Sequence, residues 1–272
     1  MRRSSALIAT ATATLTALAL AACGAADDGA SGGSTDAEGS GDLNLVADGT
    51  LTVATEGTYR PFTFHDASGE LVGYDVEVAE AVAEELGLEI EFAETQWDAI
   101  FAGLDAGRFD TIANQVSMTP ERLEDYAFSQ PYTVSRGAVV VPEGDTSITS
   151  FDDLDGLTAA QSLTSNWRAL AEESGAEIEA VEGWAQSVEL LGTGRVDATI
   201  NDSLTVLDYR AENPDAPIQI AAETKESSEM GFVVTPERAA LAEAIDGALD
   251  TLREDGTLTE LSEKYFGADV TS

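Results

Sequence analysis

The chain has 272 residues, 43% of them hydrophobic, which is room for one large α/β domain or two lobes of ordinary size around a packed core. Acidic residues outnumber basic ones 51 to 13, for a formal charge of -38. So few cations cannot build a phosphate-tracking groove, which excludes nucleic acid as a partner, and solvated acidic faces are the plain reading of the excess.

In chain order, Arg2 and Arg3 precede Ala6 to Ala22, an apolar run of small residues without an acid, the pattern of a cleaved targeting segment. Its end, Leu20-Ala21-Ala22-Cys23, resembles the lipobox of bacterial lipoproteins, which implies cleavage before Cys23 and diacylglycerol on its thiol. A buried structural cysteine or a permanent membrane helix fits less well, because nothing foldable surrounds Cys23 and a 17-residue span is marginal for a bilayer. Cys23 is the only cysteine, so no intramolecular disulfide forms. From Gly24 to Asp42 there is no aromatic and no large aliphatic residue, the composition of a flexible tether. As a coil it spans roughly 25 Å.

The folded part starts near Leu43. Leu51 to Ala54 reads as a strand, followed by an irregular loop marked by Gly57 and Pro61. Val76, Ala79, Val82, Ala83 and Leu86 recur at helical spacing, with Asp75 as a candidate cap and Gly87 as the stop. Strand alternation follows in Leu88, Ile90 and Phe92; then come a helix around Ile100 to Leu104 and a strand at Thr111 to Ala113. This alternation predicts α/β architecture with parallel sheets and crossover helices. After Pro131-Tyr132 the pattern resumes in a second lobe: Ala138 to Val141, a helix around Trp167 to Glu173, Ile178 to Val181, a helix from Ser187, and a buried strand at Val196 to Ile200 ending in Asn201-Asp202. The amphipathic stretch from Ala239 to Tyr265 breaks at Asp255-Gly256 and could close either lobe.

Several motifs carry a resemblance. They are Thr55-Glu56-Gly57-Thr58-Tyr59-Arg60-Pro61-Phe62, Gly73-Tyr74-Asp75, Ser117-Met118-Thr119-Pro120-Glu121-Arg122, Phe128-Ser129-Gln130-Pro131-Tyr132, Asp255-Gly256-Thr257 and Lys264-Tyr265-Phe266-Gly267. Together they resemble the family 3 solute-binding proteins of polar amino-acid importers, from about residue 50 to the C-terminus. The resemblance implies an α/β, two-lobed periplasmic-binding-protein type II fold with a ligand cleft between the lobes. With the signal peptide (1–22) and the lipidated cysteine and tether (23–42) read above, it divides the rest of the chain into lobe 1 (43–135 with 232–272) and lobe 2 (136–231), with crossings near Val134 to Gly137 and Ser228 to Gly231. It also implies a monomeric, extracytoplasmic protein, anchored by the lipid read above at Cys23, that captures an amino acid and delivers it to an ABC permease and its ATPase.

An amino acid needs a fork of donors for its carboxylate and an anion for its ammonium. Arg122, just inside a helix announced by Thr119 and Pro120, is a candidate fork; a surface ion pair with Glu121 or Asp125 is the alternative. Asp202, at the end of a buried strand, is a candidate anion; a helix cap is its alternative. The resemblance implies the ligand roles for both, with Asn114, Gln115 and Ser117 lining the same strand end. By family position Tyr59 and Trp97 cover the ligand side chain, against a plain core role, and Glu56 adds an acceptor at the cleft mouth. Ala160 to Asn166, including Thr164 and Ser165, and Asn114-Gln115-Val116 resemble the cystine-binding branch. Their amides and hydroxyls suit a long polar ligand with a second zwitterionic end. Arg60 and Arg136 keep a glutamate-like cargo open, glutamine is a further alternative, and sensing for a receptor is an alternative to transport.

The same fold also hosts a dehydratase, but no catalytic residue is expected here. The sole histidine, His65, lies in a turn-rich stretch with no cysteine partner. No cofactor and no metal are expected either: Asp152, Asp153 and Asp155 cluster without a second ligand set.

Overall fold

The computed structural model describes residues 43–272; the targeting segment, Cys23 and the tether lie outside the described residues. Two five-stranded sheets organise the chain. The first has the spatial order Glu89–Glu94, Thr50–Thr55, Thr111–Ile112, Val233–Val234, Ala127–Phe128. The second runs Glu177–Ala180, Thr158–Gln161, Ala198–Asp202, Gly137–Pro142, Ile218–Glu223. Each sheet with its helices forms one lobe.

The expectation of parallel sheets needs correction, because both sheets are mixed. Thr50–Thr55 pairs in parallel with both neighbours, but Val233–Val234 runs antiparallel to the strands on either side of it. In the second sheet Gly137–Pro142 is antiparallel to both Ala198–Asp202 and Ile218–Glu223. The reversed strands are the ones by which the chain enters a lobe from the other, so they arrive from the crossing side and not through a crossover helix. The crossings are Thr133–Ser135 and Ser228–Met230, paired antiparallel with Ser135 opposite Ser228 and Thr133 opposite Met230.

The helix Tyr74–Glu85 buries Val76, Ala79, Val82 and Ala83, as their spacing predicts, and Val78 as well, while Leu86 is half-buried at its C-cap. Asp75, however, does not cap it. The N-cap is Gly73, and the amides of Tyr74 and Asp75 donate to the carbonyls of Pro61 and Phe62. The loop backbone thus satisfies the helix start and frees the Asp75 carboxylate for another task. Gly73 is required there: its φ is 137°, and a Cβ would sit 2.2 Å from the Phe62 carbonyl oxygen.

The C-terminal stretch forms Ala239–Glu254 and Thr257–Phe266, broken at Gly256 with φ 90°. It closes the first lobe: Leu241, Ile245, Leu249 and Leu258 share a core with Leu51, Val53, Val78 and Val82. Cutting a fully buried leucine such as Leu249 to alanine costs about 2–5 kcal/mol. Val139, Val141, Ala159, Ala198 and Ile200 form one second-lobe cluster, and Ala138, Val140, Trp184, Val188 and Leu191 another. Among the described residues no helix is long and apolar enough to cross a membrane.

Candidate functional site

In open α/β sheets, ligand-facing loops follow the carboxyl ends of strands. Here those ends meet. Thr50–Thr55 runs into Glu56, Glu89–Glu94 leads to Gln96 and Trp97, and Thr111–Ile112 leads to Asn114 and Gln115. From the second lobe Thr158–Gln161 leads to Ser162 through Trp167, Glu177–Ala180 to Glu182 through Gln186, and Ala198–Asp202 contributes Asn201. These segments, with Thr58 and Tyr59, enclose a chamber of about 340 Å³. Trp97, Trp167 and Trp184 form much of its wall, and among the described residues its charged lining is Glu56 and Glu182, with no cation.

On the first-lobe side Asn114 organises the floor. Its Oδ1 accepts from the Glu56 amide (2.8 Å) and the Thr55 hydroxyl (3.1 Å), while its Nδ2 donates to Glu56 Oε2 (2.7 Å). Burial pushes the Glu56 carboxyl up to about 7 against the pull of that Asn114 bond, with the Asp98 charge raising it further. Gln115 sits in the left-handed region at φ 51°, unusual for a side-chain-bearing residue, and Asp75 holds it there. Asp75 Oδ2 accepts the Gln115 amide at 2.7 Å and Oδ1 accepts its Nε2 at 2.6 Å, while the same Nε2 donates to the Thr133 hydroxyl. Asp75 is fully buried, and burial pushes its carboxyl up to about 7 despite those two bonds.

Of the residues singled out from sequence, the chamber brings together Glu56, Tyr59, Trp97, Asn114, Gln115 and Ser165. Ser117, Arg122, Thr164 and Asp202 are not part of its lining. Ser117 is buried, and its carbonyl accepts from Arg122 at 3.0 Å. Arg122 and Thr164 line a wider adjoining groove of about 890 Å³, which shares Ser165, Asn166 and Trp167 with the chamber.

The Arg122 guanidinium also donates to the Thr164 carbonyl (3.4 Å) and lies over the rings of Trp97 (5.4 Å) and Phe101 (5.2 Å). Burial holds it down at about 10. Neither Glu121 nor Asp125 forms an ion pair with it, and among the described residues no carboxylate stands within salt-bridge distance of it. A desolvated cation held by carbonyls and ring faces is set up to receive an anion.

Asp202 caps the helix Ser203–Glu212, accepting the Leu204 amide at 2.9 Å, and also accepts from the Ser135 hydroxyl on the crossing strand. Burial pushes its carboxyl up to about 6, with both of these bonds opposing. A carboxylate with two bonds filled retains lone pairs for an ammonium donor.

The lobes are in contact across the cleft. The Tyr59 hydroxyl donates to Asn201 Oδ1, Gln96 Nε2 donates to Glu182 Oε2 (3.4 Å), and Arg60 pairs with Asp208 (3.5 Å) and Glu212 (3.3 Å). This is the closed arrangement. Gln96, Trp167, Glu182, Trp184 and Gln186 line the chamber without having been singled out from sequence; the rule that strand ends face ligands would have drawn attention to Glu182 through Gln186.

Residues 51–268 match the model of the bacterial extracellular solute-binding proteins, family 3. The chain belongs to that family. A probable amino-acid ABC transporter-binding protein of Haemophilus influenzae is 51% identical over 214 residues, covering 79% of this chain and 83% of the relative. The L-cystine-binding protein TcyA of Bacillus subtilis is 46% identical over 214 residues, covering 78% and 80%. Among solved structures, the L-cystine solute receptor of Neisseria gonorrhoeae in its unliganded open conformation is 46% identical, with a TM-score of 0.57 over 82% of this chain and 95% of the receptor. A modest superposition at such identity fits the lobe contacts seen here, since one chain is open and the other closed.

Proposed function

We propose that this protein is the substrate-binding lipoprotein of an amino-acid ABC importer, closing on the zwitterion of L-cystine and delivering it to the permease. The observation that carries the reading is Arg122, a desolvated guanidinium at the cleft with no carboxylate partner among the described residues. A ligand α-carboxylate completes it, and Asp202, at the strand end of the other lobe, takes the α-ammonium. Ligand contacts made in the closed arrangement then drive closure.

The choice of cystine rests on the second end of the cargo. The chamber offers Glu56 and Glu182 to a positive group, and Gln96, Ser162, Asn166 and Gln186 to a carboxylate. A distal zwitterion uses both sets; a glutamate side chain meets two acids and, among the described residues of the lining, no cation. Cystine is also the solute of the L-cystine-binding relative from Bacillus and of the L-cystine receptor from Neisseria. Arg60 does not rescue glutamate, because it is engaged by Asp208 and Glu212 and stacked on Phe64 at 4.0 Å. Arg136 is exposed, and its carbonyl accepts the Ser203 amide.

The leader and Cys23 support export and anchoring to the cell membrane through a lipid, with the acidic tether holding the two lobes off the surface as a monomer. The test is calorimetric titration with L-cystine, L-glutamine, L-glutamate and L-arginine. Cystine binding tightest, and lost in Arg122→Ala and Asp202→Ala, is the expected result; glutamate binding tightest, or full cystine affinity in both variants, overturns it.

A further inference from the structure

Asp98 is the second residue of the helix Trp97–Asp105, next to a tryptophan that walls the chamber, yet it does not itself line that chamber. Its carboxylate reaches the other lobe. Oδ1 accepts the Thr164 amide at 3.0 Å and the Thr164 hydroxyl at 2.8 Å, and Oδ2 accepts the Leu163 amide at 3.4 Å. The receiving loop is fixed from within its own lobe: Arg168 donates to the Leu163 carbonyl (2.9 Å), Ser165 N–H bonds Ser162 O, and the Ser165 hydroxyl caps the helix Asn166–Glu173. Three donors therefore stand ready before the lobes meet, and a single first-lobe carboxylate collects them.

We propose that Asp98 is a latch of the closed state, a positioning residue that sets solute affinity and residence without touching solute. Thr164, read from sequence as a ligand contact, is on this account the latch's keeper. When the lobes part, all three bonds return to water, so they bias the open–closed equilibrium only. A ligand bound in the closed form then binds in proportion to the closed fraction, and loss of the latch appears as weaker affinity and faster release. The proposal rests on the reading that solute is captured by lobe closure, and not on which amino acid it is.

The test uses the full chain at pH 8, where Glu56, whose carboxyl the Asp98 charge helps to raise, is ionised with or without Asp98. Asp98→Asn and Asp98→Ala are titrated with L-cystine, release is followed by stopped flow, and amide hydrogen exchange is read over residues 158–166. Both variants should weaken binding about tenfold, corresponding to roughly 1.4 kcal/mol. Most of the change should fall in the release rate, with faster exchange at Leu163 and Thr164 and an unchanged melting temperature. Thr164→Val should weaken binding in the wild-type background and have no further effect in Asp98→Ala; additive losses would mean that Thr164 holds solute directly and would overturn the latch. Unchanged affinity and exchange in Asp98→Ala would also overturn it. If wild-type protein does not bind cystine, the proposed cargo fails, and exchange in the unliganded chain still decides the latch: faster in Asp98→Ala supports it, equal rates sink it.

Discussion

The Tyr59 hydroxyl donates to Asn201 Oδ1 at 2.7 Å, joining a loop of the first lobe to a strand end of the second, and the same oxygen accepts the Asp202 amide. Tyr59 also packs on Phe62 with ring centroids 5.2 Å apart, so its ring is positioned independently of its hydroxyl. Tyr59→Phe should keep the ring and lose the bridge. Affinity should fall about two- to tenfold, corresponding to 0.5–1.5 kcal/mol for one net hydrogen bond, with little change in melting temperature. Calorimetry and a thermal melt on the same sample check both halves.

Arg122 is held by carbonyls and aromatic faces, and among the described residues no carboxylate lies within salt-bridge distance of it. Arg122→Ala should weaken solute binding by about 2–5 kcal/mol, roughly thirty- to several-thousand-fold. Arg122→Lys keeps the charge without the planar fork, so it should recover only part of that loss. Equal affinity for Arg122→Lys and wild type would show that charge alone suffices.

Glu56, with its carboxyl pushed up to about 7 by burial, is protonated below neutrality in the empty site. If it receives a positive group of the solute, binding must expel that proton, so affinity should rise with pH through about 7 and fall in mild acid. Titrations between pH 5.5 and 8.5 read the slope, and Glu56→Gln should flatten it while weakening binding at pH 8.

Asp75 makes the opposite demand on stability. Its folded carboxyl lies near 7 against an ordinary value of 3.8, so between these limits the native state holds a proton that the unfolded chain has lost. Its stabilising contribution is complete below pH about 4 and drains away as pH rises through about 7. Buried Asp202, raised to about 6, pulls in the same direction. Urea unfolding should therefore show stability declining from pH 5 to pH 8 in the absence of solute, with a shallower decline in Asp75→Asn.

Much of this was legible in the sequence because its signals are local. The spacing of Val76, Ala79, Val82 and Ala83 marks a helix in any fold, and Thr119-Pro120 marks the start of another. What was not legible depends on partners far along the chain. Asp75 reads as a cap until Pro61 and Phe62 take the amides at that helix start. The antiparallel run of Gly137–Pro142 follows from the direction of a crossing that no pattern within the strand records. The bonds from the Thr164 amide and hydroxyl to Asp98, 66 residues earlier, likewise leave no mark in the local sequence. Trp184 and Glu182 gave no signal of their own; only knowing that Glu177–Ala180 ends at the cleft makes them noticeable.

The chain has three tryptophans, and Trp97, Trp167 and Trp184 all wall the chamber. Indole emission shifts with the polarity of its surroundings, so the whole tryptophan signal of this protein originates at the cleft, undiluted by indoles elsewhere. Solute entry, lobe closure and release can each be followed in real time by intrinsic fluorescence of the unlabelled protein.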